Sequence, residues 1–443
     1  MRLQNPFQLA RHHFGKAGTV AALLVSASVA HAVDFGPDGM FTLTGFAKVE
    51  ALQGSNHCDN CARFPNEDKQ RLWADELVPG RPYQTAGTTL TMFQPWLSAK
   101  QSLGGGYTVT GLLSQRWRDG MLDMAFDPNI WYEKNVAISH EDYGRIAIGS
   151  MTSRGWSVAD YPYGTNIGLS QEWGSSGAGY GMLGNSVRVT TRPLDVLNGD
   201  LVLEATYDQG NTNFKINKPW LVELYAQYHQ GDFVLDAVYQ DSRNGKPMAW
   251  AHGPFSGLTD SADYDAKLGG SGQSIAMAMA RYQVTSQIEV SGGIRGNRWS
   301  GSNAVQLTTG PTGLWNTMFN VNWNATVNGV ANPGYAATST DLMAGLRYRT
   351  GAWTAYSGLV YLGKATTSNP MERGQSNDAT VGTVGLNYDY GQGIQFYGWA
   401  GMVRFGRLGL SPMSMPGNNA FWNVDSRVTQ DGNWFGIGTV YTF

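Results

Sequence analysis

Residues 432–443 read GNWFGIGTVYTF, and the alternation within them decides the fold. In an extended chain, Phe435, Ile437, Thr439, Tyr441 and Phe443 share one face, so this stretch is a period-two strand with an apolar side. Its aromatic residues gather toward the end, where a membrane-facing strand meets the interface.

The same pattern stands at the other end of the sequence. In MFTLTGFAKVEAL, residues 40–52, Phe41, Leu43, Gly45, Ala47, Val49 and Ala51 alternate with Thr42, Thr44, Lys48 and Glu50. Segments of about ten residues with this pattern recur between the two, as expected when one face meets lipid and the other a watery lumen. Sixteen can be placed, eight of them before residue 231. Gly104-Gly105-Gly106, Glu141–Tyr143, Gln230-Gly231, Thr285-Ser286, Thr350-Gly351 and Gly391–Gly393 are tight turns that alternate with long loops. That alternation of short and long connections belongs to a transmembrane barrel of about sixteen antiparallel strands with both termini on one side. A soluble sandwich would bury its apolar faces against each other and seldom needs so many strands.

Composition agrees. Only 15% of the 443 residues are charged, against a usual share of roughly 25%. Fifty-seven glycines, 21 tyrosines and 15 tryptophans favour strands and turns over long helices. Arg2, Arg11 and Lys16, the apolar run 17–30 and the Ala30-His31-Ala32 site read as a secretory signal peptide, residues 1–32, leaving 33–443 as one barrel domain. Its removal takes three basic and no acidic residues from 31 against 34, changing the formal charge from −3 to −6. No basic tract or phosphate loop points to nucleic acid. No apolar run after Ala32 is long enough for a spanning helix.

Several stretches in order resemble the trimeric general porins of betaproteobacteria and neisseriae: FTLTGFAKVE (41–50), YGRIAIGS (143–150), NSVRVTTRP (185–193), GDLVLEATYDQG (199–210) and WFGIGTVYTF (434–443). The terminal Phe443, with Tyr441, resembles the assembly signal of outer-membrane barrels. The resemblance implies an outer-membrane location among lipid and lipopolysaccharide, a homotrimer, and passive diffusion of small hydrophilic solutes and ions with mild anion preference. It also implies a third external loop folded into the lumen, with acidic residues facing basic residues on the wall.

That loop follows Ser150. Asp160 and Glu172 are its candidate acids, with the aromatics Trp156, Tyr161, Tyr163 and Trp173 beside them either to pin the loop or to stack on solute. Alternation points Lys48, Lys100, Arg116, Arg118, Arg145 and Arg188 into the lumen, with Arg295, Arg347 and Arg404 from later strands. A charge on the lipid face costs about 2 to 4 kcal/mol near the midplane. The plainer expectation is that these bases pair with Glu50, Glu204, Glu223, Asp236 and Glu289 and only stiffen the wall.

Cys58 and Cys61 lie in the first long loop, and an exported protein is expected to join them as a disulfide. With only His57 nearby, a metal site lacks ligands. No cofactor is implied. His57, His140, His229 and His252 are scattered and accompany no G-x-S-x-G motif, so an outer-membrane hydrolase is the weaker alternative. The nearer alternative is a substrate-specific channel for sugars or aromatic acids. It could have eighteen strands, with an extra hairpin hidden in 243–272 or in 299–340, where LWNTMFNVNWNATVNGV partly alternates.

Overall fold

Alternation this regular leaves every backbone N–H and C=O of a strand seeking a neighbour, and in a bilayer no edge can stay unpaired. The computed structural model describes residues 32–54, 69–73, 76–79, 86–118, 133–175, 177–210, 218–244, 271–301, 326–327, 330–331, 336–364, 366–367, 378–406, 418–419, 424–425 and 431–443. The cysteine pair, His57, His252 and residues 1–31 of the expected signal peptide lie outside them.

Sixteen strands form the barrel: β1 (Phe41–Gly54), β2 (Ala86–Gly104), β3 (Tyr107–Ser114), β4 (Glu133–His140), β5 (Gly144–Thr152), β6 (Met182–Thr190), β7 (Gly199–Asp208), β8 (Trp220–Gln230), β9 (Phe233–Arg243), β10 (Ser271–Gln283), β11 (Ile288–Gly301), β12 (Ala337–Thr350), β13 (Trp353–Leu362), β14 (Ala379–Gly391), β15 (Ile394–Phe405) and β16 (Gly432–Thr442). Each pairs antiparallel with the next. β16 closes the ring on β1, with Phe46 opposite Thr442 and Gly54 opposite Trp434. Among the described residues the ring holds sixteen strands and not the alternative eighteen; Thr326–Val327 and Val330–Ala331 pair with each other, and 245–270 lies outside the described residues.

Closure reaches the last residue. The Phe443 N–H donates to the Gly45 carbonyl at 3.0 Å, and the Gly45 N–H donates back at 2.8 Å. A Cβ on Gly45 would stand 2.7 Å from the Phe443 ring, so only glycine leaves that ring its seat. Phe443 continues outward as a ladder, with ring centroids 6.1 Å from Phe93 and 5.8 Å from Tyr441.

The outer face is apolar and exposed, through Val49, Ile148, Val187, Val189, Leu203, Leu224, Ile294, Leu342, Leu359, Val384, Phe435 and Ile437. Tyr107, Tyr282, Tyr348, Trp353, Tyr390 and Tyr441 sit beside the tight turns and form an aromatic girdle at that end. The first tight turn needs positive φ at Gly104, Gly105 and Gly106 in succession, a conformation glycine adopts without strain.

Polar-inward alternation does not hold all the way around. In β10 the inward side chains are Ile275, Met277 and Met279, buried, while Ala276, Ala278 and Ala280 face outward. Val238, Met343, Val360 and Val381 are likewise buried. The reason is the loop after β5, which lies inside the barrel and brings an apolar underside to this part of the wall.

Candidate functional site

The third external loop, residues 153–181, opens with a short helix, α1 (Arg154–Val158), and its start explains how the loop turns inward. Ser153 caps α1 by accepting from the Trp156 N–H, while its hydroxyl donates to the Tyr180 carbonyl and so ties the two ends of the loop together. The next free N–H groups, of Arg154 and Gly155, donate at 2.8 and 2.9 Å to the two oxygens of Glu223 on the wall. Glu223, 1% exposed, also accepts from Gln240 at 3.0 Å and from Arg188 at 3.3 Å. Arg154 itself forms a two-pronged pair with Glu204, its Nη2 at 2.9 Å. Burial would lower the pKa of Arg154, but the Glu204 carboxylate outweighs it and raises it above the ordinary arginine value.

Further along, the Tyr163 hydroxyl donates to Asp236 at 2.7 Å; burial first, then that carboxylate, push the phenol upward so that it stays a neutral donor. Ile167 sits on β12 and β13, where Cβ atoms on Gly345 and Gly358 would approach it to 2.5 and 2.8 Å, and its carbonyl accepts from Thr383. Trp173 lies over Gly293, donates to the Met279 sulfur at 3.1 Å, and carries the Arg295 guanidinium 5.0 Å from its ring centroid. Ala178 and Tyr180 donate backbone N–H groups to Asn297 and Gln240. Among the described residues the loop's hydrogen bonds and close contacts thus fall mainly on the inner faces from β7 to β14, and the arc of wall from β15 through β16 to β4 carries fewer of them.

The expected facing of loop acids and wall bases takes a different form. Asp160 accepts from Thr165 at 2.8 Å and from Ser170, both in the loop, and Glu172 is buried at 4% exposure. Arg188 is held between Glu204 and Glu223 beneath the loop. Arg145 lies nearby on the inner face, among the charges of Arg188, Arg154, Glu204 and Glu133. Arg295 pairs with Asp341 at 2.7 Å, and Arg347 with Glu289 at 3.3 Å. Arg404 is no lumen residue: it stands opposite Thr380 beside inward, buried Val403, and therefore faces outward near the external rim.

Four candidate bases remain on this less covered arc. Lys48 pairs with Glu50 at 3.1 Å. Lys100 is exposed four residues from the first tight turn, at the mouth on that side. Arg116 donates to Gln94 at 2.6 Å and stands 5.8 Å from the Trp156 ring, touching wall and loop together. Arg118 stands opposite Met92, an inward position; its side chain is outside the described residues. Of the loop aromatics, Trp156, Tyr163 and Trp173 are buried against the wall, while Tyr161 is partly exposed.

The expected pairing partners Glu50, Glu204, Glu223 and Glu289 each take a base, whereas Asp236 takes Tyr163, Tyr225 and Gln227. Gln240, Asn297 and Asp341, which hold the loop as firmly, carried no sequence signal, because an inward polar residue of a barrel strand looks the same whether it meets water or a folded loop.

No family model matches the sequence, and no curated protein matches it. Solved structures do. The anion-selective porin of Comamonas acidovorans superposes with TM-score 0.56 at 12% identity, over 91% of this chain and 99% of that one. OmpT, an outer-membrane protein of Vibrio cholerae, gives 0.54 at 11% identity, over 93% and 100%. The fold is that of the Gram-negative porins. OmpF of Salmonella typhi, in a complex with daunomycin, gives 0.52 at 14% identity, over 91% and 98%.

Proposed function

We propose that the protein is an outer-membrane porin, a water-filled channel for passive diffusion of small hydrophilic solutes and ions. The observation that carries this reading is a closed barrel whose third loop is bolted to one side of the lumen, narrowing it without filling the less covered arc. A mild anion preference is supported by Lys48, Lys100 and Arg116 against Glu50 and Glu133 on that arc among the described residues, with Arg116 at the narrowing. No cofactor or metal enters the reading. The channel reading is preferred to a hydrolase because the described histidines stand at tight turns: His140 contacts the Gly105 carbonyl at 3.1 Å between Tyr107 and Tyr143.

The mature chain begins after Ala32 and carries the Cys58–Cys61 disulfide in its first loop. It lies among lipid and lipopolysaccharide as a homotrimer, packed through the outward faces of the first strands, where Ala47, Val49 and Ala51 offer a small-residue surface. Planar-bilayer recording tests the proposal: steady ohmic channels are expected, with a reversal potential in asymmetric KCl displaced toward chloride. Absence of any conductance from folded protein sinks it.

A further inference from the structure

From the edge of the loop-covered wall into the neighbouring arc, β13 to β16, inward aromatics alternate with glycines in hydrogen-bonded register. Tyr356 stands opposite Gly385, which stands opposite Trp399, which stands opposite Gly436. One step lower Tyr397 stands opposite Gly438, and one step higher Gly401 opposite Trp434. A Cβ would come within 2.1 Å of Tyr356 on Gly385, 2.5 Å of Trp399 on Gly436, 2.7 Å of Tyr397 on Gly438, and 2.4 Å of Trp434 on Gly401. Each ring therefore lies along the wall over its neighbour's bare backbone; Tyr356, Trp399 and Tyr397 stay partly exposed, whereas Trp434 is buried.

The rings join into a path. Tyr356 meets the tip of the third loop at Gly168. Trp399 and Tyr397 have centroids 5.6 Å apart. The Tyr397 hydroxyl donates to Glu50 at 2.7 Å, Glu50 takes Lys48 at 3.1 Å, and two residues below Lys48 on the same face Phe46 meets Trp96 at 5.8 Å. The Trp96 indole donates to Glu133 at 3.2 Å. Trp399, Tyr397, Phe46 and Trp96 are only partly buried, Trp399 at the border of the buried cluster that the third loop forms with the wall.

We propose that this path is a binding track for neutral carbohydrates, whose ring faces stack on Trp399, Tyr397, Phe46 and Trp96 while their hydroxyls bond to the Lys48–Glu50 pair. Flat aromatic faces hold the C–H face of a pyranose by dispersion and apolar burial. A carboxylate beside an ammonium offers acceptors and donors together, as hydroxyl groups require. The same pair carries no net charge, so it does not hold the carboxylate of an aromatic acid. The proposal rests on the channel reading and names a solute class for it.

The test is solute blockade of the full-length protein in planar bilayers, with maltohexaose and, separately, benzoate. Maltohexaose is expected to interrupt the current reversibly and saturably. Trp399→Ala should raise the half-blocking concentration roughly five- to tenfold, the worth of one stacking contact, while Trp399→Phe restores most of it. The same records show whether each variant has formed a channel, and Tyr397→Phe, which keeps the ring and loses the Glu50 bond, gives a second, milder variant expected to weaken blockade. A channel that conducts but is not blocked by maltohexaose overturns the track. Blockade by benzoate alone overturns the solute class, and absence of conductance overturns the channel reading and the track with it.

Discussion

Glu223 is the residue on which the root of the third loop depends, and Glu223→Gln isolates that dependence at nearly constant shape. One carboxylate oxygen accepts from the Arg154 N–H and Arg188, the other from the Gly155 N–H and Gln240. Whichever oxygen becomes an amide NH2, two donors then confront a donor. Only one of the two donors on each oxygen belongs to the loop, Arg188 and Gln240 being wall residues, and a hydrogen bond to a charged acceptor is worth about 1.5 to 3 kcal/mol, so the loop root loses about 1.5 to 3 kcal/mol. That multiplies the population of the detached loop about 10- to 10²-fold. The strand ladders are untouched, so the barrel itself should still form. Single-channel recording is the assay: the variant should step repeatedly to larger conductance levels, whereas the parent holds one level, and electrophoresis without boiling should show the folded band in both. A Glu223→Gln channel with the parent's single level and voltage response would refute the view that this carboxylate holds the loop.

Four further outcomes follow from the same geometry. Tyr163→Phe should loosen the loop less, by about 1 kcal/mol, because Asp236 keeps Tyr225 and Gln227; conductance noise should rank it below Glu223→Gln. Arg295→Leu leaves Asp341 buried without its cation and should cost about 3 to 5 kcal/mol, read as a lower temperature for loss of the folded band. Gly45→Leu puts a side chain where the Phe443 ring sits and should depress assembly into the folded form, with an effect not additive with Phe443→Ala. Arg116→Gln should move the reversal potential in asymmetric KCl toward cation preference, and an unchanged potential removes Arg116 from the narrowing.

How much of this could be read beforehand depends on the range of the interaction. All sixteen strands and the tight turns between them followed from alternation and glycine, because which face a residue takes depends only on its parity along the strand and on the need to keep charge out of lipid. Arg404 shows the limit: parity counted from the wrong neighbour turns a residue to the opposite face. β10 shows another, since Ile275, Met277 and Met279 break polar-inward alternation for a reason found over a hundred residues earlier, in the underside of the third loop.

The sequence by itself determined the closed barrel, the approximate places of its strands and the lipid-facing position of Phe443 in the last of them. Each of these rests on short-range periodicity or on the physics of a strand in lipid. Only the tertiary structure decided which lumen charges are consumed in pairs, that Trp156, Tyr163 and Trp173 hold the loop to the wall, and that Trp399 and Tyr397 line the arc where the loop makes fewer contacts. Those outcomes depend on which inward residues of distant strands share a hydrogen-bonded row, and the register that sets the rows is fixed only when the ring closes.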